Sequence, residues 1–505
     1  MTRAPSRMIA AMGSVGGWTL VSRIAGFVRE IIFAALFGSS ATAEAFQIAF
    51  SLPNMFRRFF AEGALSTAYV PMYSKKLAQA EMADDFASDA FSALAGFLIV
   101  FSALASLAMP ALVWAMASGF VGDGRFDLAV DFGRVCFPYI LFISLAALIS
   151  GTLNAHGRFA VAAAAPVLLN IVLIAAMWFG PKFGFAAEWA LTWGVPIAGI
   201  LQLALVWHAL KRAGIPLRLG WPRWTEDLKS LAIIAAPAAL AGGVVQINLL
   251  VGRQVASQFE GAIQWLAVAD RLYQLPLGVV GIAIGIVLLP TLSKALADDD
   301  KTTGSAAFND AFILAFLLTA PAAIALICIP TPIVEALFER GAFTSEDTAK
   351  TATALAIYGL GLPAFVMQKL YQPIFFSRGD TKTPFRFALV AMVVNAVLAV
   401  GLMSALGYLA AAWATSISAY VMLALLIWKA RQTGSESRFS RDTIMSISTT
   451  VAGCGVLALL FLPLSIAAEH FELNKYAELG LYVLAGGTVF AVLAGLPFNR
   501  RLLGR

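Results

Sequence analysis

Long apolar runs recur throughout this chain, and they limit its possible folds more than any other feature. Runs of about 20 residues are long enough to cross a lipid bilayer as helices, whose backbone groups bond internally. Of the 505 residues, 60% are hydrophobic and 13% are charged. A soluble domain is typically about 25% charged. The sequence therefore predicts an all-α polytopic membrane protein.

Gly, Pro and charged residues divide the apolar runs into fourteen predicted transmembrane helices. Their expected limits are 9–36, 42–72, 86–117, 128–153, 160–180, 187–210, 230–257, 262–292, 308–330, 348–377, 385–405, 408–428, 443–467 and 475–497. Most Lys and Arg residues outside these spans fall before the first span and after every second one. Because cytoplasmic loops are rich in Lys and Arg, both termini are predicted to be cytoplasmic.

An internal repeat divides the predicted spans into two halves. Pro138 and Asn170 have the same spacing as Pro363 and Asn395, and similar residues surround each pair. The repeat predicts two parallel six-helix halves around a central cavity, at 1–222 and 223–435, an arrangement typical of alternating-access transporters. Residues 436–505 then add two further transmembrane helices.

Three stretches between the spans carry local predictions. Trp221 and Trp224 lie beside basic residues in the linker 211–229, which favours a helix at the cytoplasmic interface. The acidic run 298–301 is expected to be a solvated loop and not a metal site. Segment 331–350 is expected to form a short surface helix.

Charged residues inside the predicted spans are the strongest functional signal. A charge at membrane depth costs roughly 2.5–3.5 kcal/mol on insertion scales and usually faces a partner or a watery cavity. The basic residues are Arg23, Arg29, Arg57, Arg58, Arg134, Arg253, Arg271 and Lys369, and the acids are chiefly Glu30, Glu44, Glu62 and Asp270. This cationic excess predicts a cavity for an anionic molecule, since arginine matches phosphate bidentately.

On the first span, Ser22 and Arg29 share a helix face, whereas Arg23 lies about 120° from Arg29 around an ideal helix. We predict that Arg23 and Arg29 bind the cargo and that Ser22 supports them. The alternative for Arg29 is a structural ion pair with Glu30, which would be a supporting residue in either case.

On the second span, the adjacent Arg57 and Arg58 cannot share a face. We predict that Arg57 faces the cavity and that Arg58 pairs with Glu62, four residues further on. Glu44 has two equally weighted interpretations: it complements the dipole at the helix start, or it forms a gate contact near the outer mouth.

In the second half, Asp270 and Arg271 are the charged residues of a long apolar span. We predict that Arg271 binds the cargo and that Asp270 supports it, with a self-contained ion pair as the alternative. The chain has no Walker motif and no other enzyme signature. We therefore expect no catalytic residue, no metal, no ATP site and no nucleic-acid partner.

Several motifs resemble those of one bacterial family. They are SRIAGFVRE, LPNMFRRFFAEGA, YVPMYSKKLA, ADRLYQLPLGVVGIAIGIVLLPTLSK and FFSRGDTKTPF. Together and in this order they are similar to the MurJ (MviN) lipid II flippases of the multidrug/oligosaccharidyl-lipid/polysaccharide exporter superfamily. The resemblance covers essentially the whole chain.

The resemblance implies transport of undecaprenyl-pyrophosphate-linked peptidoglycan precursor from the cytoplasmic to the periplasmic leaflet of the inner membrane. It also implies that the essential cavity arginines of the family match Arg23, Arg29, Arg57 and Arg271, and that family acids match Glu44 and Asp270. The candidate spans lack the acidic sodium ligands that some members carry. This favours membrane potential over a sodium gradient as the energy source, and cell-wall synthesis proteins are candidate partners.

Three other functions remain open from the residues alone. An exporter of another lipid-linked oligosaccharide, or of a small molecule driven by an ion gradient, would use the same architecture. A membrane scaffold for cell-wall enzymes would not need the arginines. A membrane-embedded glycosyltransferase would need a catalytic acid or metal site, which the sequence does not reveal.

Overall fold

The computed structural model describes residues 4–58, 68–79, 81–298, 300–434 and 438–492. In this part of the chain nearly every residue is helical, and no strand occurs beyond one isolated bridge between Arg340 and Phe343. The predicted all-α class is confirmed.

The chain divides into two compact units, Met1–Gly261 and Ala262–Arg505. The helices of the first unit are α1 (Ala4–Phe37), α2 (Ala41–Arg57), α3 (Val70–Ala78), α4 (Ala83–Leu107), α5 (Met109–Met116), α6 (Gly124–Cys136), α7 (Tyr139–Ala155), α8 (Ala160–Phe179), α9 (Ala187–Arg212) and α10 (Glu226–Ser257), with 3₁₀ turns at Ser118–Phe120 and Pro181–Phe183. The helices of the second unit are α11 (Ala262–Ala297), α12 (Lys301–Cys328), α13 (Pro330–Phe338), α14 (Ser345–Phe376), α15 (Lys382–Gly401), α16 (Met403–Leu406), α17 (Leu409–Thr433), α18 (Arg441–His470) and α19 (Lys475–Leu481), followed by a π-helical turn at Tyr482–Gly486.

Short polar side chains fix where many of these helices begin. Ser, Thr, Asp or Asn at the N-cap accepts a backbone N–H of the first turn, which has no partner within the helix. These caps are Ser40, Asp123, Thr225, Asp300, Thr344, Ser440 and Asn474. Between α1 and α2, Gly38 adopts a left-handed conformation with φ of 54°, which suits glycine at a helix end.

Equivalent helices have equivalent neighbours in the two units. In the first unit α9 packs against both α7 and α8, and in the second unit α17 packs against both α14 and α15. This pattern agrees with the repeat read from the sequence. The helix α10 packs against α4 and α5 and therefore groups with the first unit, whereas the predicted division at 222/223 assigns it to the second half. The predicted domain limits remain predictions.

Among the described residues, nine helical segments are long and apolar enough to cross a membrane. Examples are Ala160–Phe179, Lys382–Gly401 and Arg441–His470, which match predicted spans closely. These segments confirm a polytopic helical membrane protein. The total of fourteen crossings remains a prediction.

Two predicted spans are interrupted in their interior, in each case beside a proline. Span 86–117 breaks at Ala108, directly before a helix with Pro110 in its first turn. Span 128–153 breaks before Tyr139, because Pro138 caps the second helix. Proline has no N–H to donate and its ring clashes with the preceding helical turn, so it is tolerated at a helix start but interrupts a helix interior.

The local predictions had mixed outcomes. The interfacial helix expected in the linker is wrong: residues 215–225 are not helical. The acidic run includes the start of a helix, since Asp300 is the N-cap of α12. Hydrogen bonds from Thr302 and Thr303 lower the pKa of Asp300. The short helix expected in 331–350 is confirmed as α13.

Candidate functional site

An aromatic contact between α1 and α2 positions the first candidate arginine. The ring centroids of Phe33 on α1 and Phe46 on α2 lie 5.5 Å apart, and Phe46 stacks on Phe50 at 5.6 Å. Offset and tilted arrangements at this separation are favourable for aromatic rings. They hold α2 beside the charged part of α1.

Arg29 contacts both its own helix and its neighbour. Its Nη2 lies 2.5 Å from Glu30 Oε1, and its guanidinium lies 5.7 Å from the centroid of the Phe50 ring. The Arg29 and Glu30 side chains are 12% and 13% exposed. Because Arg29 and Glu30 are adjacent on α1, their ion pair cannot by itself join two helices. The cation–π contact with Phe50 makes that connection.

Tyr139 brings Arg29 and Arg57 into one electrostatic environment. The charges of both guanidinium groups lie close enough to act electrostatically on the Tyr139 hydroxyl, and the Phe50 and Tyr139 rings are 6.4 Å apart. The hydroxyl donates to Gln202 Oε1 at 3.1 Å, which fixes its direction. We call Arg29, Phe50, Arg57 and Tyr139 the arginine–aromatic cluster. Three elements, α1, α2 and α7, contribute to it.

Sequence reasoning missed Tyr139, although a signal was present. Tyr139 follows Pro138, the proline that marks the internal repeat, and it begins α7. A polar aromatic residue at the start of an apolar helix is a reasonable candidate for a buried hydrogen bond.

The other N-terminal candidates lie in different surroundings. Arg23 and Arg58 are exposed, and neither forms an ion pair within the described part of the chain. Ser22 is half-buried, and its carbonyl accepts the Asn170 side-chain amide at 3.2 Å. Glu62, the predicted partner of Arg58, lies outside the described residues.

Glu44 forms a buried ion pair that the sequence did not predict. Its side chain is fully buried in the first turn of α2, and Arg125 Nη1 donates to Glu44 Oε2 at 2.9 Å. Arg125 also contacts Asp123 at 2.7 Å and stacks over Phe120 at 4.4 Å. Arg125 falls between the predicted spans 86–117 and 128–153. An Asp two residues before an Arg at a helix start was an available signal for this contact.

The contact with Arg125 lowers the pKa of Asp123. Partial burial alone would raise its pKa, but hydrogen bonds from the Arg125 side chain and backbone outweigh burial and hold the pKa below its ordinary value. Asp123 therefore stays ionised near neutral pH beside Arg125. The ion pair between Arg125 and Glu44 ties the start of α2 to the start of α6.

In the second unit, Asp270 and Arg271 are adjacent and half-buried on α11. The Gln274 side-chain amide, one turn further along, donates to Asp270 Oδ2. Asp270 also interacts electrostatically with Tyr273 and Tyr358, whose stacked rings are 5.2 Å apart. The Asp270 side chain thus lies in a polar and aromatic environment.

The repeat positions Asn170 and Asn395 carry buried amides in both units. Asn170 donates to backbone carbonyls of α1 and α8, and Asn395 donates to Thr415 and Ser418 on α17. Both amides are bonded, as expected for buried polar groups. These bonds join α8 to α1 and α15 to α17.

The chemistry of the arginine–aromatic cluster suits binding of an anion more than catalysis or metal binding. Guanidinium groups donate charge-assisted hydrogen bonds to phosphate oxygens. Among the described residues, no group of three or more His, Cys, Asp or Glu side chains could hold a metal ion.

Comparisons with known proteins identify the family of the chain. The family model "Lipid II flippase MurJ" matches residues 33–498. A protein of Rhizobium tropici named "Probable lipid II flippase MurJ" is 41% identical over 503 residues, covering 96% of this chain and 93% of that protein. A solved structure titled as lipid II flippase MurJ in an inward closed conformation has a TM-score of 0.82 and 26% identity, covering 97% of this chain and 99% of its own.

A more distant structure has a similar fold. An inward-facing multidrug resistance MATE family transporter of the MOP superfamily has a TM-score of 0.68 at 14% identity and covers 82% of this chain and 96% of its own. At that identity the likeness concerns the fold alone. From the family model and the full-length similarity together, this chain belongs to the lipid II flippase MurJ family.

Proposed function

We propose that this protein moves lipid II, the undecaprenyl-pyrophosphate-linked peptidoglycan precursor, from the cytoplasmic to the periplasmic leaflet by alternating access. The observation that carries the proposal is the arginine–aromatic cluster in a chain of this family. In this proposal the protein is a multi-pass inner-membrane protein with both termini cytoplasmic. Membrane potential supplies the energy, and no ATP, catalytic residue or metal is used.

The pyrophosphate of the substrate carries the charge that must cross the membrane. Removing it from water is costly, and guanidinium groups replace lost water contacts with charge-assisted hydrogen bonds. We assign this role to Arg23, Arg29, Arg57 and Arg271. The polyprenyl chain stays in lipid while the head group uses the cavity. Transport of this kind requires no covalent step.

Acidic and polar neighbours support this reversible binding. Glu30 neutralises Arg29 while no anion is bound, since the two groups are in direct contact. A phosphate that approaches Arg29 then competes with Glu30, which prevents excessively tight binding. Ser22, Arg58, Glu62 and Asp270 have supporting or gate roles in the proposal, and Glu44 stabilises the start of α2 through Arg125.

Complementation of a depleted strain tests the proposal. Cells lacking their own flippase receive Arg29→Ala, Arg57→Ala or Arg271→Ala, with expression checked. We expect well-expressed Ala variants to fail, with lipid-linked precursor remaining protected from an external degrading enzyme. Partial rescue by Arg→Lys variants would indicate that the positive charge matters more than the planar, forked geometry of the guanidinium group.

Arg134→Ala is the matched control. Arg134 also lies in an apolar span, but its side chain is 50% exposed and pairs only loosely with Asp131 at 3.5 Å. It should complement normally. Normal growth and normal precursor exposure with all three variants, Arg29→Ala, Arg57→Ala and Arg271→Ala, would refute the cationic-site proposal and favour a scaffold. Normal precursor exposure with failed growth would favour export of another molecule.

A further inference from the structure

The connection between α9 and α10 is an extended segment fixed on the surface of α4. We call residues 213–225 the linker strap. The backbone N–H of Arg218 donates to Ser88 Oγ at 3.1 Å, and the N–H of Gly220 donates to Ser92 Oγ at 3.0 Å. These contacts satisfy backbone groups that a helix would otherwise satisfy, so the strap is ordered without being helical.

Close packing continues this attachment along α4. A Cβ atom on Gly96 would lie 3.0 Å from Pro222 Cγ, so the proline ring rests directly on the glycine. Ser88, Ser92 and Gly96 are four residues apart and form one stripe of about 12 Å along the helix. The strap therefore follows α4 from its first turns toward its middle, and α4 is one of the segments apolar enough to span a membrane.

The apolar side chains of the strap are buried at its start and exposed toward its end. Ile215 is buried in the hydrophobic core, and Leu217 packs against that core. Beyond that point the apolar side chains face outward: Leu219 is 69% exposed, Trp221 90% and Trp224 74%. Exposure of three large apolar side chains within six residues indicates a surface that contacts something other than water.

Unpaired cations accompany these apolar groups. Lys211, Arg212, Arg218 and Arg223 are all exposed, and none forms an ion pair within the described part of the chain. The carboxylates that follow in sequence are already engaged: Asp227 pairs with Lys76 at 3.0 Å and Glu226 with Lys229 at 3.8 Å.

Acidic side chains lie near one end of the strap and offset the positive charge there. Asp84 and Asp85 line a cavity of about 440 Å³ together with Pro216 and Arg218. Arg223 does not line this cavity and stands between the two exposed tryptophans in sequence. The section from Leu219 to Trp224 is therefore the part with apolar and cationic groups and no acid.

We propose that the linker strap binds anionic phospholipid at the membrane interface. Tryptophan prefers the headgroup level, where its ring is in an apolar layer and its N–H reaches polar groups. Adjacent basic side chains are attracted to anionic lipid. The attachment to α4 presents both kinds of side chain to the bilayer with little further ordering. This inference does not depend on the identity of the transported molecule.

Quenching of tryptophan fluorescence by brominated lipids tests the proposal. The full-length protein is placed in lipid nanodiscs that contain increasing fractions of brominated phosphatidylglycerol in phosphatidylcholine, or the reverse labelling. Because the chain has 11 tryptophans, the strap signal is the difference between wild type and the Trp221→Phe/Trp224→Phe variant. The titration gives the relative association constant of the anionic lipid at the strap.

We expect a preference for phosphatidylglycerol that falls roughly fivefold in Arg223→Gln. That variant should remain folded, since the Arg223 side chain is exposed and the strap is attached to α4 through the backbone N–H groups of Arg218 and Gly220. An unquenched difference signal would overturn the proposal, because the indoles would then lie away from lipid. Equal quenching by both lipids, unaffected by the charge change, would overturn the preference for anionic lipid. Displacement by free inorganic phosphate would indicate an anion site without a membrane component and would also overturn it.

A second Trp–Lys surface serves as the matched control. Trp178 is 59% exposed, and Lys182 lies 5.2 Å from its ring centroid in the turn after α8. The difference signal of Trp178→Phe should show no lipid preference that depends on Lys182→Gln. The same preference at this control site would mean that any Trp beside a cation produces the result, and it would contradict a specific role of the strap.

Discussion

Replacement of Arg125 by glutamine is expected to destabilise the first unit strongly. The substitution removes the hydrogen bond of 2.9 Å to Glu44, whose side chain is fully buried. Breaking a buried ion pair by removing one partner typically costs roughly 3–5 kcal/mol, because the remaining charge stays in a poorly solvated site. The bonds to Asp123 add little, since that side chain is 42% exposed and returns to water.

This loss converts to a measurable shift in unfolding temperature. For soluble domains of comparable length, each kcal/mol corresponds to about 2–4 °C, so Arg125→Gln should lower the midpoint by roughly 6–20 °C. The assay is thermal unfolding of purified protein in nanodiscs at one fixed scan rate, because membrane-protein unfolding is commonly irreversible.

Two further variants make the reasoning refutable. The double variant Glu44→Gln/Arg125→Gln should be more stable than Arg125→Gln alone, since it removes the stranded carboxylate. Arg134→Gln on the same helix breaks an exposed pair and should cost less than about 1 kcal/mol. If Arg125→Gln shifts the midpoint no more than Arg134→Gln, Glu44 acts through the helix dipole and the buried-pair argument is wrong.

Two more predictions concern neighbouring residues in the same unit. Gly119→Ala should destabilise by roughly 1–3 kcal/mol in the same assay, because its Cβ would lie 2.4 Å from the Ser257 carbonyl oxygen, whereas Gly124→Ala, with no atom within 4 Å, should not; equal midpoints for the two would contradict this. The pKa of Asp123 is below its ordinary value of 3.8, so its stabilising contribution is present above that pH and is lost only as pH falls through the lower folded-state pKa. The difference in midpoint between wild type and Asp123→Asn should therefore be the same at about pH 7 and about pH 5, and a difference that fades over this interval would refute the assignment.

Most helix limits could be predicted from sequence because they depend on local chemistry. The span predicted at 160–180 corresponds to α8 at Ala160–Phe179, and the span at 187–210 corresponds to α9 at Ala187–Arg212. Apolar length, flanking charge and N-cap residues are properties of a few neighbouring residues.

Errors arose where a competing local rule or a distant partner decided the outcome. New helices begin beside Pro110 and Pro138 inside predicted spans. Apolar composition alone does not reveal such a break, because it does not register that proline lacks a backbone N–H. The interfacial helix expected around Trp221 is replaced by an extended strap, since hydroxyls of Ser88 and Ser92 on α4 satisfy its backbone. Hydropathy gave no information about those bonds.

The candidate arginines show the same division between sequence and structure. Their residue type and their position in apolar spans were evident from the chain itself, as was the expectation of an anionic ligand. Tyr139, which joins the environments of Arg29 and Arg57, was not evident, because it lies 82 residues beyond Arg57.

By itself, the sequence determined the class of the protein, the lengths of most helices, the internal repeat and the identity of the charged groups. Only the tertiary structure decided which charges meet. Glu44 pairs with Arg125 of α6, and Arg29 of α1 lies over Phe50 of α2. The physical reason is that helix formation and bilayer length depend on short-range chemistry, whereas the partner of a buried charge depends on which helices pack together.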